Sequence, residues 1–317
     1  MKIKLFIAFV IVSAGVAVFA YSIFSSQQSG GSLASVILAR CTDTQKEKLI
    51  ECMSKEILAS VMQNPQTTGE LFDDIWKLLQ TGKLQMDPRY FSPLAHDAGM
   101  AMVQVGIPVE KILAYCGESF YQGCMHGAVM EYGDMIFSAT SEPQEFISFC
   151  DPFKIHTTKY LNCLHGIGHE IVVKIHKPLN ELLEYCPSVD DYSKSACVSG
   201  ILMEYSKGEV GAGMHSHKKI YTQELPCGSL KERYKSICYA SAGAYRQYEV
   251  DSESFEDSYQ FCKSVPEQYR NSCLMNLSER VEFIYAGNPK KAKRVCEELT
   301  GESQYTCLES FKSLAQY

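Results

Sequence analysis

Residues 178–205 read PLNELLEYCPSVDDYSKSACVSGILMEY, and this stretch decides the fold. Pro178 opens a short apolar helix, at a position where the missing N–H costs nothing. The helix ends at Cys186, because Pro187 disfavours the helical conformation in the residue before it. A polar connection follows, and Cys197 opens a longer apolar helix. The unit is a helix, a turn closed by two cysteines, and a second helix.

The same unit recurs along the chain. The 14 cysteines stand at 41, 52, 116, 124, 150, 163, 186, 197, 227, 238, 262, 273, 296 and 307. Taken in consecutive pairs, their separations are 11, 8, 13, 11, 11, 11 and 11. From Cys116 onward the pairs start at 116, 150, 186, 227, 262 and 296, in steps of 34, 36, 41, 35 and 34. A near-constant period in this range marks a stack of short structural repeats. Pro108, Pro143 and Pro289 open first helices as Pro178 does, and Tyr121, Tyr160, Tyr234 and Tyr269 each stand three or four residues before a second cysteine.

The two ends of one turn are close, so the spacing predicts seven local disulfides: Cys41–Cys52, Cys116–Cys124, Cys150–Cys163, Cys186–Cys197, Cys227–Cys238, Cys262–Cys273 and Cys296–Cys307. Zinc and iron–sulfur sites favour C-x2-C spacings, which do not occur here. Disulfides in this number require an oxidising compartment. The gap from Cys52 to Cys116 is close to two periods. It predicts one hairpin that has lost its staple, with the missing second cysteine near Tyr90 and residues 91–105 (FSPLAHDAGMAMVQV) as the second helix. The expected fold is an all-α solenoid of about eight hairpins over residues 34–317, with the longest break at 206–220.

The N-terminus supports export. After MKIK, residues 5–24 run LFIAFVIVSAGVAVFAYSIF without a charge. Twenty helical residues span about 30 Å, the hydrocarbon thickness of a bilayer. Residues 1–24 therefore read as a signal anchor and single transmembrane helix, or as a signal cleaved after Val18-Phe19-Ala20. Either way Lys2 and Lys4 hold the N-terminus inside and the remainder is exported. Residues 25–33 read as a flexible linker. The expected location of the repeat domain is the periplasm or the cell exterior, joined to the membrane by its N-terminal helix. The chain has 317 residues, is 46% hydrophobic and 21% charged, and carries a net charge of −7. This composition excludes a disordered chain, and an acidic balance without a basic cluster excludes a nucleic-acid partner.

The histidines follow the cysteine register. Aligned on the second cysteine, three blocks read Cys124-Met-His126-Gly127-Ala-Val-Met130-Glu131, Cys163-Leu-His165-Gly166-Ile-Gly-His169-Glu170 and Cys197-Val-Ser-Gly200-Ile-Leu-Met203-Glu204. His126 and His165 are equivalent. The position four later holds Met130, His169 and Met203, and the unstapled hairpin places His96 there. His165 and His169 share one helix face. Neighbouring helices pack 8–10 Å apart, so histidines of adjacent repeats can meet. His96, His126, His165 and His169 are thus candidate ligands for zinc, copper or iron, and methionines in the same column favour copper. Glu131, Glu170 and Glu204 are candidate ligands or supporting carboxylates, with Glu131 and Glu204 as candidate general bases. Simpler roles stand beside these. Gly127, Gly166 and Gly200 permit close helix approach, a histidine in such a column can bond a neighbouring backbone or tyrosine, and the glutamates can pair with tyrosine hydroxyls or cap a helix. His215 and His217 fall in the inserted loop and read as solvated. No G-x-S-x-G, P-loop or G-x-G-x-x-G pattern occurs.

The unit size, helical hairpins and intrarepeat cysteine pairs resemble the disulfide-stapled Sel1-like and tetratricopeptide-like repeats of exported proteins. The likeness spans about residues 34–317 and concerns architecture. The Trp, Leu-Gly and Ala-Phe positions of tetratricopeptide repeats and the Gly-x-Gly turns of Sel1 repeats are absent, and no functional residue carries over. The blocks CMHGAVMEY, CLHGIGHE and CVSGILMEY are also similar to those of uncharacterised cysteine-rich exported bacterial proteins. Two functional expectations follow, beside a third, purely structural reading as a rigid spacer on the cell surface. One is a membrane-anchored metal-binding protein, and a metalloenzyme if a glutamate serves as base. The alternative, implied by the resemblance, is an extracytoplasmic scaffold that holds a protein or peptide without catalysis.

Overall fold

A computed structural model of the chain describes residues 32–41, 46–84, 91–117, 121–138, 140–154, 157–186, 191–206, 225–249 and 256–285, with scattered positions between 293 and 309. The apolar run at 5–24, the linker up to residue 31 and the insertion at 207–224 with His215 and His217 lie outside the described residues. Among those described there are thirteen α-helices and no strand. None of these helices is long and apolar enough to cross a membrane.

The helices fall into pairs. The first is α1 (Leu33–Cys41) with α2 (Lys46–Gln63), and the second is α3 (Thr68–Gln80) with α4 (Phe91–Gln104). Next come α5 (Val109–Tyr115) with α6 (Tyr121–Ile136), and α7 (Pro143–Ser148) with α8 (Thr157–Lys174). The remaining elements are α9 (Leu179–Leu182) with α10 (Asp191–Ser206), a short 3-10 turn (Cys227–Ser229) with α11 (Glu232–Glu249), and α12 (Glu256–Ser264) with α13 (Glu267–Tyr285). Six disulfides join Cys41–Cys52, Cys116–Cys124, Cys150–Cys163, Cys186–Cys197, Cys227–Cys238 and Cys262–Cys273. Their Cα–Cα distances of 5.4 to 5.8 Å are ordinary for such bonds. Cys296 is also disulfide-bonded, while Cys307, its expected partner, lies outside the described residues. The disulfides indicate an oxidising, extracytoplasmic setting.

Three local expectations shift. The second helix does not begin at the second cysteine. Cys52, Cys163, Cys197, Cys238 and Cys273 each stand well inside the longer helix of their pair, and Cys124 stands in its first turn. Polar residues such as Asp191-Tyr-Ser-Lys already belong to the helix, so its first turn precedes the stapled cysteine. The tyrosine one turn earlier then shares the cysteine's face, and the buried Tyr234 hydroxyl donates to the Leu183 carbonyl at 3.1 Å. Secondly, Pro143 is the first helical residue, but Pro108 and Pro178 stand one position earlier as caps. Their carbonyls accept the first helical bonds, from Lys111 and Ile112 and from Glu181 and Leu182. Thirdly, the missing cysteine maps to Leu94 rather than to the neighbourhood of Tyr90, because the backbone contacts of Gly99 and Gly127 match those of Gly168 and Gly200.

The long helices pack in chain order: α2 on α4, α4 on α6, α6 on α8, α8 on α10, α10 on α11 and α11 on α13. The closest pairs are α4/α6 and α8/α10, where glycines remove the side chains that would hold the backbones apart. A Cβ on Gly127 would lie 1.8 Å from the His96 carbonyl oxygen, and one on Gly99 would lie 2.0 Å from that of Cys124. The second pair repeats this arrangement. A Cβ on Gly200 would lie 2.0 Å from the His165 carbonyl oxygen, and one on Gly168 would lie 2.3 Å from that of Cys197. The two contacts superimpose Gly99 on Gly168 and His96 on His165. His96 is therefore the counterpart of His165, one helical turn from the position that cysteine counting assigns to it. Leu94 then takes the place of Cys163, and buried Leu84 and Leu94 stand at the two ends of the unstapled connection within one apolar cluster.

Helix α6 separates two large apolar cores. Cys124 and Ala128 belong to the core built on α1–α5, and Met125 and Val129 to the core that extends to α11. A smaller core with Tyr259, Cys262, Cys273 and Leu277 closes the described C-terminal part.

Candidate metal centre

Three histidines converge between α6 and α8. His126 projects from α6, and His165 and His169 from successive turns of α8. The helices meet here because Gly166 presents no side chain and Val129 of α6 fills the space; a Cβ on Gly166 would touch it at 3.0 Å. The rings of His126 and His165 are stacked, with centroids 4.5 Å apart and planes within 8°. His169 is tilted against both, at 5.5 Å from His126 and 5.0 Å from His165. All three side chains are buried, at 6%, 6% and 2% exposure.

One ligand nitrogen from each of the three lies within 4.8 Å of the other two. Metal–nitrogen bonds of about 2.0–2.1 Å in a tetrahedral site put ligand atoms about 3.4 Å apart. Closing the triad on an ion thus needs a contraction of at most about 1.5 Å, which ring rotation can supply. The three imidazoles can hold a metal ion.

A carboxylate supports the triad. Glu204 of α10 places Oε2 2.9 Å from His169 Nδ1, with both side chains almost wholly buried. In the tautomer with the proton on Nδ1, His169 donates to this carboxylate and Nε2 keeps the lone pair that a metal requires. Histidine ligands are commonly oriented in this way. The aligned blocks make Glu131 and Glu204 equivalent, but the structure gives them different partners. The Glu131 carboxylate accepts from the Gln104 amide at 3.2 Å on the outside of α4/α6.

Glu170 is a third case. It is 2% exposed, and its carboxyl group lies over Gly133 of α6, where a Cβ would come within 2.5 Å of its Cγ. Its Oε2 is buried without a hydrogen-bond partner. Burial pushes its pKa up to about 8; Asp134, Glu204 and Glu131 add to the rise, and Lys174 opposes it. Glu170 is therefore mostly the neutral acid at pH 7. No sequence signal separates it from Glu131 and Glu204, because only the packing over Gly133 buries it.

His96 does not join the triad. Its Nε2 lies 3.1 Å from Met130 Sδ on α6, and the ring is 2% exposed. As the counterpart of His165 it belongs to the α4/α6 contact, and the cluster found among the described residues consists of His126, His165 and His169 without it. His215 and His217 lie outside the described residues. In comparisons with known proteins, no family model, no curated protein and no solved structure matches the chain.

Proposed function

We propose that this is an exported metal-binding protein, held to the membrane by its N-terminal apolar segment, whose stack of stapled hairpins positions His126, His165 and His169 as ligands of a transition-metal ion. The observation that carries the reading is the convergence of three buried imidazoles, one oriented by a buried carboxylate. Structural zinc sites use four protein ligands, whereas catalytic sites use three and leave a position for water or substrate. The triad supplies three among the described residues, which favours a reactive or exchangeable metal over a purely structural one. The disulfides support the exported setting, and they leave imidazole rather than thiolate as the metal-binding chemistry.

The experiment is elemental analysis of protein purified from its oxidising compartment, followed by zinc and copper titration. The reading predicts about one zinc ion bound per chain through nitrogen ligands. It also predicts loss of that ion in the His165→Ala/His169→Ala variant, with helical content and disulfides unchanged. A protein that binds neither metal more tightly than this variant does would overturn it.

A further inference from the structure

The pair His96–Met130 is left outside the triad, yet it joins an imidazole nitrogen to a thioether sulfur at 3.1 Å across the α4/α6 contact. His96 is buried and Met130 is half-buried. An imidazole–thioether pair is a soft donor set, of the kind that selects copper(I) over zinc or magnesium. Copper(I) needs only two or three ligands, and the unbranched methionine side chain can swing its sulfur to open a gap for the ion. Met130 also follows His126 by four residues on α6. The two side chains share a face about 6 Å apart, so the pair sits one helical turn from the triad.

We propose that His96 and Met130 form a second, copper(I)-binding site beside the three-histidine site, so that soft-metal ligands run from α4 across α6 to α8. The proposal extends the metal-binding reading and rests on it, but its ligands are different side chains. Helix α6 contributes to both sites, with Met130 facing His96 and His126 facing His165 and His169. A copper(I) ion held by His96 and Met130 is therefore one turn from a set of imidazoles able to receive it.

The test is X-ray absorption at the copper edge on the full chain loaded anaerobically with copper(I), its disulfides intact. Two equivalents are expected, with a sulfur shell at about 2.3 Å beside the nitrogen shell. The His165→Ala/His169→Ala variant should keep the sulfur shell. Met130→Leu, which preserves volume and apolarity, should lose it together with one equivalent of copper. A nitrogen-only shell in the wild-type protein overturns the second site and leaves the three-histidine reading standing. A sulfur shell that survives Met130→Leu also overturns it. Should Met130→Leu fail to fold, selenomethionine-labelled wild-type protein serves in its place. Selenium-edge absorption must then show a copper neighbour, and its absence rejects the proposal.

Discussion

Replacing Glu204 by Gln should weaken metal binding 10- to 100-fold and leave the fold unchanged. The amide still accepts the His169 Nδ1–H bond, so the perturbation is the removal of one negative charge. The carboxylate oxygen lies 2.9 Å from Nδ1. The imidazole ring and a bond of about 2 Å put an ion on Nε2 roughly 6–7 Å from that oxygen. At an effective dielectric constant near 20, a divalent ion and the carboxylate attract by about 5 kcal/mol at this distance. Desolvation of the ion offsets part of that, and losses measured for such supporting carboxylates are 10- to 100-fold, about 1.4–2.7 kcal/mol. The assay is competition against a chromophoric zinc chelator at fixed pH, with thermal unfolding of the metal-free protein as the control. Glu131→Gln is the matched comparison. Its carboxylate lies outside the triad, bonded to Gln104, so the expected change is less than about twofold. The reasoning fails if Glu204→Gln binds zinc within twofold of wild type, or if Glu131→Gln costs as much.

Two further outcomes follow from the packing. Gly127→Ala drives a Cβ to 1.8 Å from a backbone oxygen, so α4 and α6 must separate by more than 1 Å; the expected cost is about 3 kcal/mol in urea unfolding, despite the gain of about 1 kcal/mol in helix propensity. Gly166→Ala meets only the Val129 side chain at 3.0 Å, so the propensity gain roughly cancels the crowding, and equal costs for the two variants would contradict the close-approach argument. Glu170 bears on pH. Its folded pKa of about 8 lies above the ordinary 4.5, so the stability its neutral form contributes is complete below about pH 4.5 and is lost as the pH rises through 8. Metal-free Glu170→Gln protein should therefore be flatter in stability across this window than wild type and more stable at pH 8.5, by at most about 5 kcal/mol. Parallel pH–stability curves for the two proteins would refute the buried-acid assignment.

The chain by itself determined what depends on neighbours in sequence. A disulfide that closes a turn of 8 to 13 residues is a local event, so the cysteine register identified the staples without any knowledge of packing. The i, i+4 spacing of His165 and His169 is local in the same sense, and so is the succession of hairpins along the chain. Tertiary structure decided which turn of one helix faces which turn of the next. Counting from cysteines put His96 level with His169, but the unstapled hairpin has no cysteine to count from. The backbone contacts at Gly99 and Gly127 set His96 level with His165 instead, with its ring nitrogen against Met130. Glu131, Glu170 and Glu204 look alike in the aligned blocks. They become a link to Gln104, a buried neutral acid and the orienting partner of His169 only because each helix presents them to a different neighbour. That choice depends on interhelical distance, which the glycines control and no local spacing encodes.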